Sequence, residues 1–189
     1  GVVPLLNECL GSAPEWPSAI IDAVHQRSLS HAMWELRHQQ VLSRLMATLT
    51  KTGVTPRVFK GSALAYGLYA NPVWRTRSDT DILVASNNLS ECRATFDTLG
   101  FTRLAALPGD QVSNEESWVV GGSEGSTHVI DLHQTLSNSK PLARLFPHDS
   151  LRKTASPLPA LCPGALAPSR VDAMLIACMH RAVQATSPV

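Results

Sequence analysis

The amino-acid sequence predicts an α+β fold: a mixed or antiparallel sheet with helices on one side, plus flanking helices. Apolar residues recur at helical spacing over residues 18–50, short β-branched runs occupy residues 57–132, and a last helical pattern spans residues 169–185. Helices followed by alternating strands and helices, then by neighbouring strands and a final helix, are typical of one mixed sheet covered by helices.

The N-terminal segment, residues 1–54, is predicted to be helical after an irregular, proline-containing lead-in over residues 1–17 with room for one short helix. Apolar residues at three- and four-residue steps indicate amphipathic helices that pack on the core. We expect two helices here, broken near residues 28–30, where serines interrupt the pattern. Gly53 is expected to end the second helix, because glycine takes the left-handed conformation that closes many helices.

The central segment, residues 55–135, is predicted to contain the sheet. Apolar and β-branched runs indicate strands, and amphipathic spacing indicates the helices between them. A glycine-rich turn over residues 121–125 is expected to join the last two strands. The predicted strands are Arg57–Phe59, Thr80–Val84, Phe101–Ala105, Ser117–Val120 and Thr127–Leu132, and the predicted helices are Ala63–Tyr69 and Asn88–Leu99.

The C-terminal segment, residues 136–189, begins with a stretch rich in proline and serine, so residues 137–168 are predicted to be irregular. A final helix is expected from Ser169, with Asp172 three residues later as a partial capping box.

Composition and charge argue against several classes of protein. The 189 residues are 44% hydrophobic and 16% charged, which is ordinary for a globular protein. A formal net charge of +1 gives no strong case for binding nucleic acid or an anionic membrane. No apolar run approaches the roughly 20 residues that span a bilayer, and no secretion leader opens the sequence.

The cysteines are far apart and contain no Cys-x-x-Cys pair, so neither a zinc site nor a disulfide framework is predicted. Scattered reduced thiols predict a cytoplasmic location. The cysteines are Cys9, Cys92, Cys162 and Cys178.

A glycine-serine pair follows the first predicted strand. After Phe59 and Lys60, Gly61 allows a tight backbone turn and leaves room for a bulky anion, and Ser62 adds a hydroxyl donor. The helix that follows presents free N–H groups and the positive end of its dipole, which favour phosphate. The same pair also occurs at ordinary strand–helix turns, so it does not define a site by itself.

Three acidic residues are arranged as metal ligands would be. Asp79 and Asp81 are two apart at the start of a strand, so their carboxylates project from one face. Asp131 interrupts a β-branched strand, where a charge is costly unless it is paired or binds metal. Singly, these patterns also fit a solvated turn and an edge strand. If the two strands are neighbours, about 4.8 Å apart, the carboxylates converge as two-metal nucleotidyl transfer requires.

The combined pattern resembles the DNA polymerase beta-like nucleotidyltransferase superfamily, which has a Gly-Gly or Gly-Ser pair, then Asp-x-Asp, then a third Asp on a later strand. Within that superfamily, the sequence resembles the bacterial uncharacterised nucleotidyltransferase family over roughly residues 55–135. The matching stretches are Lys60-Gly61-Ser62-Ala63-Leu64-Ala65, Leu68-Tyr69, Pro72, Arg75, Asp79-x-Asp81-Ile82-Leu83-Val84, Gly100-Phe101 and His128-x-x-Asp131-Leu132-His133.

The resemblance implies a polymerase-beta-like core that transfers a nucleotidyl group from an NTP with Mg²⁺ or Mn²⁺ as cofactor. Asp79, Asp81 and Asp131 would bind the metals, and Asp131 would help activate the acceptor hydroxyl. Candidate ligands of the triphosphate lie at the glycine-serine turn and in the loop before the acidic pair, and they are Lys60, Gly61, Ser62 and Arg75.

The acceptor stays open between a small molecule, a protein and RNA, and antitoxin-like and antibiotic-modifying transferases have the same core. The alternative function is a catalytically inactive nucleotide-binding or protein-interaction module of the same fold. Clustered carboxylates without a purpose destabilise a fold, which disfavours that alternative.

Some features depart from the family pattern or stay ambiguous. Seventeen positions separate Ser62 from Asp79, more than is usual in the superfamily. Relatives generally continue with more helices, and whether residues beyond Val189 complete the acceptor site stays open. His133 is predicted to share the face of Asp131 in a supporting or packing role, and His180 is a candidate for either the pocket or an exposed face.

Overall fold

In a computed structural model, the described residues are 2–10, 16–105, 115–121, 126–137 and 140–186, with side chains described over residues 142–182 of the last range. None of the helices in these ranges has the length and apolar character needed to cross a lipid bilayer. The helices are α1 (Val3–Cys9), α2 (Ser18–Lys51), α3 (Lys60–Leu68), α4 (Leu89–Thr98), α5 (Lys140–Leu145), α6 (His148–Thr154) and α7 (Arg170–Thr186).

One mixed sheet runs through the described part of the chain, so the predicted α+β class is confirmed. Its strands are β1 (Arg57–Phe59), β2 (Asp79–Leu83), β3 (Thr102–Arg103), β4 (Glu115–Gly121), β5 (Thr127–His133), β6 (Ser156–Pro157) and β7 (Leu166–Ala167). They lie in the order β3-β4-β5-β2-β1-β7-β6. β2 is antiparallel to β1 and parallel to β5, and this central pairing places the acidic residues side by side.

The predicted break near residues 28–30 is wrong, because α2 runs without interruption from Ser18 to Lys51. The Ser30 hydroxyl donates to the carbonyl of Gln26, four residues earlier, at 2.9 Å. A serine bonded in this way is satisfied inside a helix and does not end it. Gly53, with φ of 84°, follows the helix as predicted. Of the predicted turn at residues 121–125, residues 122–125 lie outside the described ranges.

The predicted irregular segment, residues 137–168, is more ordered than its sequence indicates. It contains α5, α6 and two short strands, of which β7 pairs with β1 and β6 pairs with β7. β6 is at the edge of the sheet. Proline is tolerated in an edge strand because no further strand needs its missing N–H, and Pro157 fits this position. Strands of two residues leave no periodic signal, so only the sheet reveals them. The final helix α7 begins after Ser169, whose hydroxyl accepts from the Asp172 amide at 3.1 Å as the capping box predicts.

The larger hydrophobic core lies between one face of the sheet and the helices α2, α3 and α4. Burial of such side chains stabilises a fold by roughly 1.5–3 kcal/mol each. Fully buried members of this core include Leu42, Leu45, Leu49, Ile82, Phe96 and Ile130.

A smaller apolar cluster lies on the opposite face, where α6 and α7 cover the strands beside the acidic residues. It joins Phe59 and Leu83 of the sheet to Leu151 of α6 and to Ile176 and Met179 of α7. Because α7 packs beside rather than over Asp79 and Asp81, a cavity stays open between α7 and the sheet.

Replacement of Phe96 by Ala tests the larger core. Phe96 is fully buried, and its ring lies 4.9 Å from that of Phe101 and 5.0 Å from that of Trp118. We expect Phe96→Ala to lower the free energy of unfolding by about 3–5 kcal/mol, because it leaves a cavity in a packed cluster. Urea denaturation measures the change. Leu36→Ala is the control, since Leu36 is 62% exposed, and an equal loss in both variants would contradict the packing described here.

Candidate active site

The acidic residues meet through the parallel pairing of β2 with β5. In this register Asp81 lies opposite Asp131, and Asp79 lies opposite Val129. Neighbouring residues of paired strands project to the same face, as do residues two apart in one strand. Asp79, Asp81 and Asp131 therefore face the same side of the sheet, as the sequence predicts if the two strands are neighbours.

Polar neighbours hold two of these carboxylates in place. Asp81 accepts hydrogen bonds from Lys60 Nζ at 2.6 Å and from His133 Nε2 at 2.9 Å. Asp131 accepts from the Ser117 hydroxyl at 2.6 Å. His133 thus supports Asp81, in line with the supporting role that its position on β5 predicts. Ser117 escaped the sequence analysis because only the β4–β5 register brings it opposite Asp131.

The two central carboxylates differ in proton affinity. Burial alone raises the pKa of Asp81, but the hydrogen bond from His133 and the Lys60 ammonium outweigh it and hold that pKa below its usual value. Burial raises the pKa of Asp131, and the negative charges of Asp81 and Asp79 raise it further against the hydrogen bond from Ser117. Of these two carboxylates, Asp131 is therefore the less compensated and has the stronger tendency to take up a proton or a cation.

A cavity of about 630 Å³ opens in front of the carboxylates. Asp79, Asp81 and Asp131 line one part of it, and α7 forms the facing wall. His180 of α7 lines this wall and is also exposed to solvent, so the structure does not decide between the two positions predicted for it. The remaining lining residues include the cationic and glycine positions Lys60, Gly61, Arg75 and Arg77.

The turn between β1 and α3 is built differently from the prediction. The positive φ, 52°, is at Lys60 and not at Gly61, and in the described residues Lys60 is the one non-glycine residue with such a φ. Gly61 lines the cavity, and a Cβ there would meet only the Arg77 side chain, at 3.8 Å. The start of α3 thus faces the cavity with little bulk, as an anion site requires.

The Ser62 hydroxyl does not line the cavity. Ser62 is fully buried and bonds Thr80 Oγ1 at 2.6 Å, while Arg77 Nε donates to it at 2.8 Å. These contacts link the glycine-serine turn to the acidic strand β2 on the side that faces away from the cavity. Ser62 therefore positions the turn through its side chain, and its contact with triphosphate stays a prediction.

Arg77 is the cation that the sequence analysis missed. It lines the cavity, yet its side chain is only 3% exposed, and Nη2 bonds Glu35 of α2 at 2.7 Å. Tyr66 also donates to Glu35, and the Arg77 guanidinium lies 5.2 Å from the Tyr66 ring. No sequence signal connects Glu35 with Arg77, since they are 42 positions apart. Arg75, the predicted cation, also lines the cavity, and its Nη1 donates to the Thr76 carbonyl at 3.2 Å.

A buried polar layer lies behind the acidic strand. Thr80, between the two aspartates, faces away from the cavity and bonds His38 Nε2 of α2 at 2.7 Å. His38 Nδ1 lies 3.1 Å from His128 Nδ1 of β5. Burial, Arg77 and His128 lower the pKa of His38 to about 3, so this ring is neutral at neutral pH. A neutral His38 bridges β2, β5 and α2 through one hydrogen bond at each ring nitrogen.

The donor chemistry of the acidic face fits a hard divalent cation, because three carboxylates share one face and only part of their charge is compensated. In the described residues, however, no group of three or more His, Cys, Asp or Glu side chains is gathered closely enough to bind a metal ion. Lys60 and His133 bond to Asp81 here, and Ser117 bonds to Asp131. Metal binding by these three aspartates stays a prediction.

The mixed sheet, the acidic pair on β2 and the third aspartate on neighbouring β5 define a polymerase-beta-like nucleotidyltransferase fold. The family described as "Uncharacterised nucleotidyltransferase" matches residues 1–188. The chain therefore belongs to the uncharacterised nucleotidyltransferase family.

Among solved structures, the antibiotic-resistance factor ANT(2'')-Ia, determined in solution, is similar with a TM-score of 0.51 and 10% sequence identity. The match covers 82% of this chain and 78% of that one. At this identity the likeness concerns the fold alone. No curated protein matches this sequence significantly.

The opposite pKa shifts of Asp131 and Asp81 predict opposite effects on stability without divalent metal. A raised pKa means that the folded state binds the proton more tightly, so ionisation of Asp131 reduces stability as pH rises above about 3.9, the unfolded value. The lowered pKa of Asp81 adds stability above that pH. At pH 7 in EDTA we expect Asp131→Asn to raise the free energy of unfolding, and Asp81→Asn to lower it, by about 1 kcal/mol.

Urea denaturation between pH 4 and pH 8 measures both changes, and the difference between wild type and Asp131→Asn should shrink towards pH 4. Asp97→Asn is the control, because Asp97 is exposed on α4 and is expected to have little effect. Changes of the same sign in Asp131→Asn and Asp81→Asn would contradict the assignment.

The Arg77–Glu35 pair predicts a second stability effect. Arg77→Met leaves the Glu35 carboxylate buried without its cation, and we expect a loss of about 3–5 kcal/mol. Adding Glu35→Gln removes that charge and keeps an acceptor for Tyr66, so part of the loss should return. Urea denaturation of the double-mutant cycle measures the coupling. Arg44→Met, at an exposed position of α2, is the control, and additive effects of the two substitutions would refute the pairing.

Proposed function

We propose that this protein is an active, metal-dependent nucleotidyltransferase that moves a nucleoside monophosphate from an NTP to an acceptor hydroxyl or phosphate and releases pyrophosphate. The observation that supports this most directly is the register that brings Asp81 opposite Asp131 beside a cavity lined by cations. Membership of a nucleotidyltransferase family supports the reaction class.

The charges of the cavity match the substrates of such a reaction. Asp79, Asp81 and Asp131 supply carboxylate oxygens for Mg²⁺ or Mn²⁺. Bound there, a divalent cation would neutralise charge on the α-phosphate and on the leaving pyrophosphate. The triphosphate would lie against the start of α3, where free N–H groups and the helix dipole favour anions. The cations available to it at the cavity are Lys60, Arg75 and Arg77.

The acceptor would approach from the side of Asp131. Its oxygen forms a bond to the α-phosphorus, the bond from that phosphorus to the bridging oxygen breaks, and pyrophosphate leaves. When the acceptor is a hydroxyl, its proton passes to the Asp131 carboxylate. Asp131 is suited to this step by its position, because it lines the cavity on the strand next to Asp79 and Asp81.

Nucleotide binding is the first test of the proposal. Isothermal titration with ATP, CTP, GTP and UTP in the presence of Mg²⁺ should show binding of at least one NTP that disappears in EDTA. Lack of binding to every NTP would count against the proposed activity. Binding without transfer to any acceptor would favour the inactive nucleotide-binding module.

Transfer is the second test. With an NTP labelled in the α-phosphate, and with small molecules including an aminoglycoside, proteins including a partner toxin, and RNA as acceptors, we expect label to move to one class. Asp79→Asn and Asp81→Asn should each reduce transfer by about 10²–10³-fold, the usual cost of losing one stabiliser of transition-state charge. Pyrophosphate release measured in parallel reports the same step.

The exposed-site variant Asp97→Asn is the matched control and should keep wild-type transfer. Full transfer by Asp79→Asn or Asp81→Asn would exclude these carboxylates from the reaction. The native fold of each variant is checked by its urea denaturation curve, so that loss of transfer is not mistaken for loss of structure.

A further inference from the structure

Lys60 already supplies a cation to the acidic face of the sheet. Its ammonium lies 2.6 Å from Asp81 Oδ1, the closest charge contact of that carboxylate, and the Asp81 side chain is only 8% exposed. Asp81 is also the residue opposite Asp131 in the sheet. The ammonium therefore contacts the central member of the acidic group from which a metal would have to draw its oxygens.

The backbone at Lys60 has an unusual conformation for that contact. Lys60 is the first residue of α3 and has φ of 52°. A left-handed conformation is unfavourable for an L-residue, and glycine avoids that cost. Strain of this kind persists where the surroundings impose it, and it clusters at functional sites. A lysine at this position is accounted for by what its side chain does, since glycine would relieve the strain but lose the ammonium.

Lys60 is also better able to change partners than Arg77, another cation of the cavity. Arg77 is nearly inaccessible and is tied to Ser62 and Glu35. The Lys60 side chain is 26% exposed, lines the cavity and ends in a point charge on a flexible stem. Its other recorded neighbour is the face of the Phe59 ring, 5.2 Å from Nζ. Gly61, the next residue, starts the surface on which a triphosphate would lie.

We propose that Lys60 is a built-in counter-ion that neutralises Asp81 in the nucleotide-free protein and transfers its ammonium to the triphosphate when metal and nucleotide bind together. This inference rests on the proposed function, because it takes Asp81 as a metal ligand and the cavity as the nucleotide site.

The exchange couples the two ligands. A divalent ion arriving alone must displace the ammonium from Asp81 and leave it without a partner, so metal by itself binds weakly. A triphosphate offers the displaced ammonium a new anion, so metal and nucleotide strengthen each other's binding by the same factor. The protein thereby avoids both an uncompensated carboxylate cluster when it is empty and tight binding of metal without substrate.

The test is Mn²⁺ binding, measured by electron paramagnetic resonance with and without a non-hydrolysable α,β-methylene NTP. Lys60→Met keeps the length and the backbone strain but removes the charge. We expect Lys60→Met to bind Mn²⁺ alone about tenfold more tightly than wild type, and the strengthening of Mn²⁺ binding by nucleotide to fall by a similar factor. Lys51→Met, an exposed lysine at the end of α2, is the matched control and should match wild type.

Asp81→Asn separates this inference from the proposed function. If Asp81→Asn abolishes Mn²⁺ binding but Lys60→Met binds Mn²⁺ as wild type does, the counter-ion idea is overturned while the metal site stands. If neither wild type nor Lys60→Met binds Mn²⁺, with or without nucleotide, both ideas are overturned. Binding of Mn²⁺ by Lys60→Met but not by wild type without nucleotide would support the exchange directly.

A measurement on the wild-type side chain guards against misfolding of the variant. In protein with ¹³C-methylated lysine amines, the Lys60 signal should shift when Mg²⁺ is added and shift again when the NTP analogue follows, while the Lys51 signal stays in place. A Lys60 signal that responds to neither addition would overturn the inference.

Discussion

The parallel pairing of β2 with β5 is the constraint on which the site depends. It sets Asp81 opposite Asp131, and like charges facing each other across two strands oppose the pairing that creates them. The side chains around the two carboxylates offset this repulsion to different degrees. Lys60 and His133 stabilise the charge of Asp81, whereas Asp131 has a single hydroxyl donor and a raised pKa. The negative charge of the acidic face is thus partly neutralised, and a bound cation would neutralise the remainder.

The opposite face of the same strands keeps this arrangement rigid. Thr80, between the two aspartates, is bonded to His38 of α2 and to Ser62 of α3. A shift of β2 by one residue would bring Thr80 to the cavity and the aspartates into the core, where charge is costly. The polar layer therefore sets the register of β2, and it also ties the glycine-serine turn to the acidic strand. Site and scaffold share one network of hydrogen bonds.

Two cations of this site differ in role: Arg77 stabilises the structure, and Lys60 is the one that we propose changes its partner. Arg77 is buried and bonded to Ser62 and Glu35, so it braces the turn from behind. Lys60 is partly exposed and reaches the cavity from a strained backbone position. The guanidinium of Arg77 has several donors in a rigid, planar group, which suits a fixed structural role. The ammonium of Lys60 ends a flexible side chain, which suits a change of partner.

Local pattern was enough to predict the strands Arg57–Phe59 and Thr127–His133 nearly to their ends and to select the acidic residues as site candidates, because alternation acts over a few neighbouring residues. It predicted the position of the glycine-serine turn but not its backbone conformation. Tertiary structure alone decided the rest. The continuity of α2 through Ser30, the edge strands of two residues, the pairing of Glu35 with Arg77 and the burial of Ser62 all depend on contacts between distant segments. A sequence shows which charged residues are present. Packing and strand register determine which of those residues meet in the low-dielectric interior.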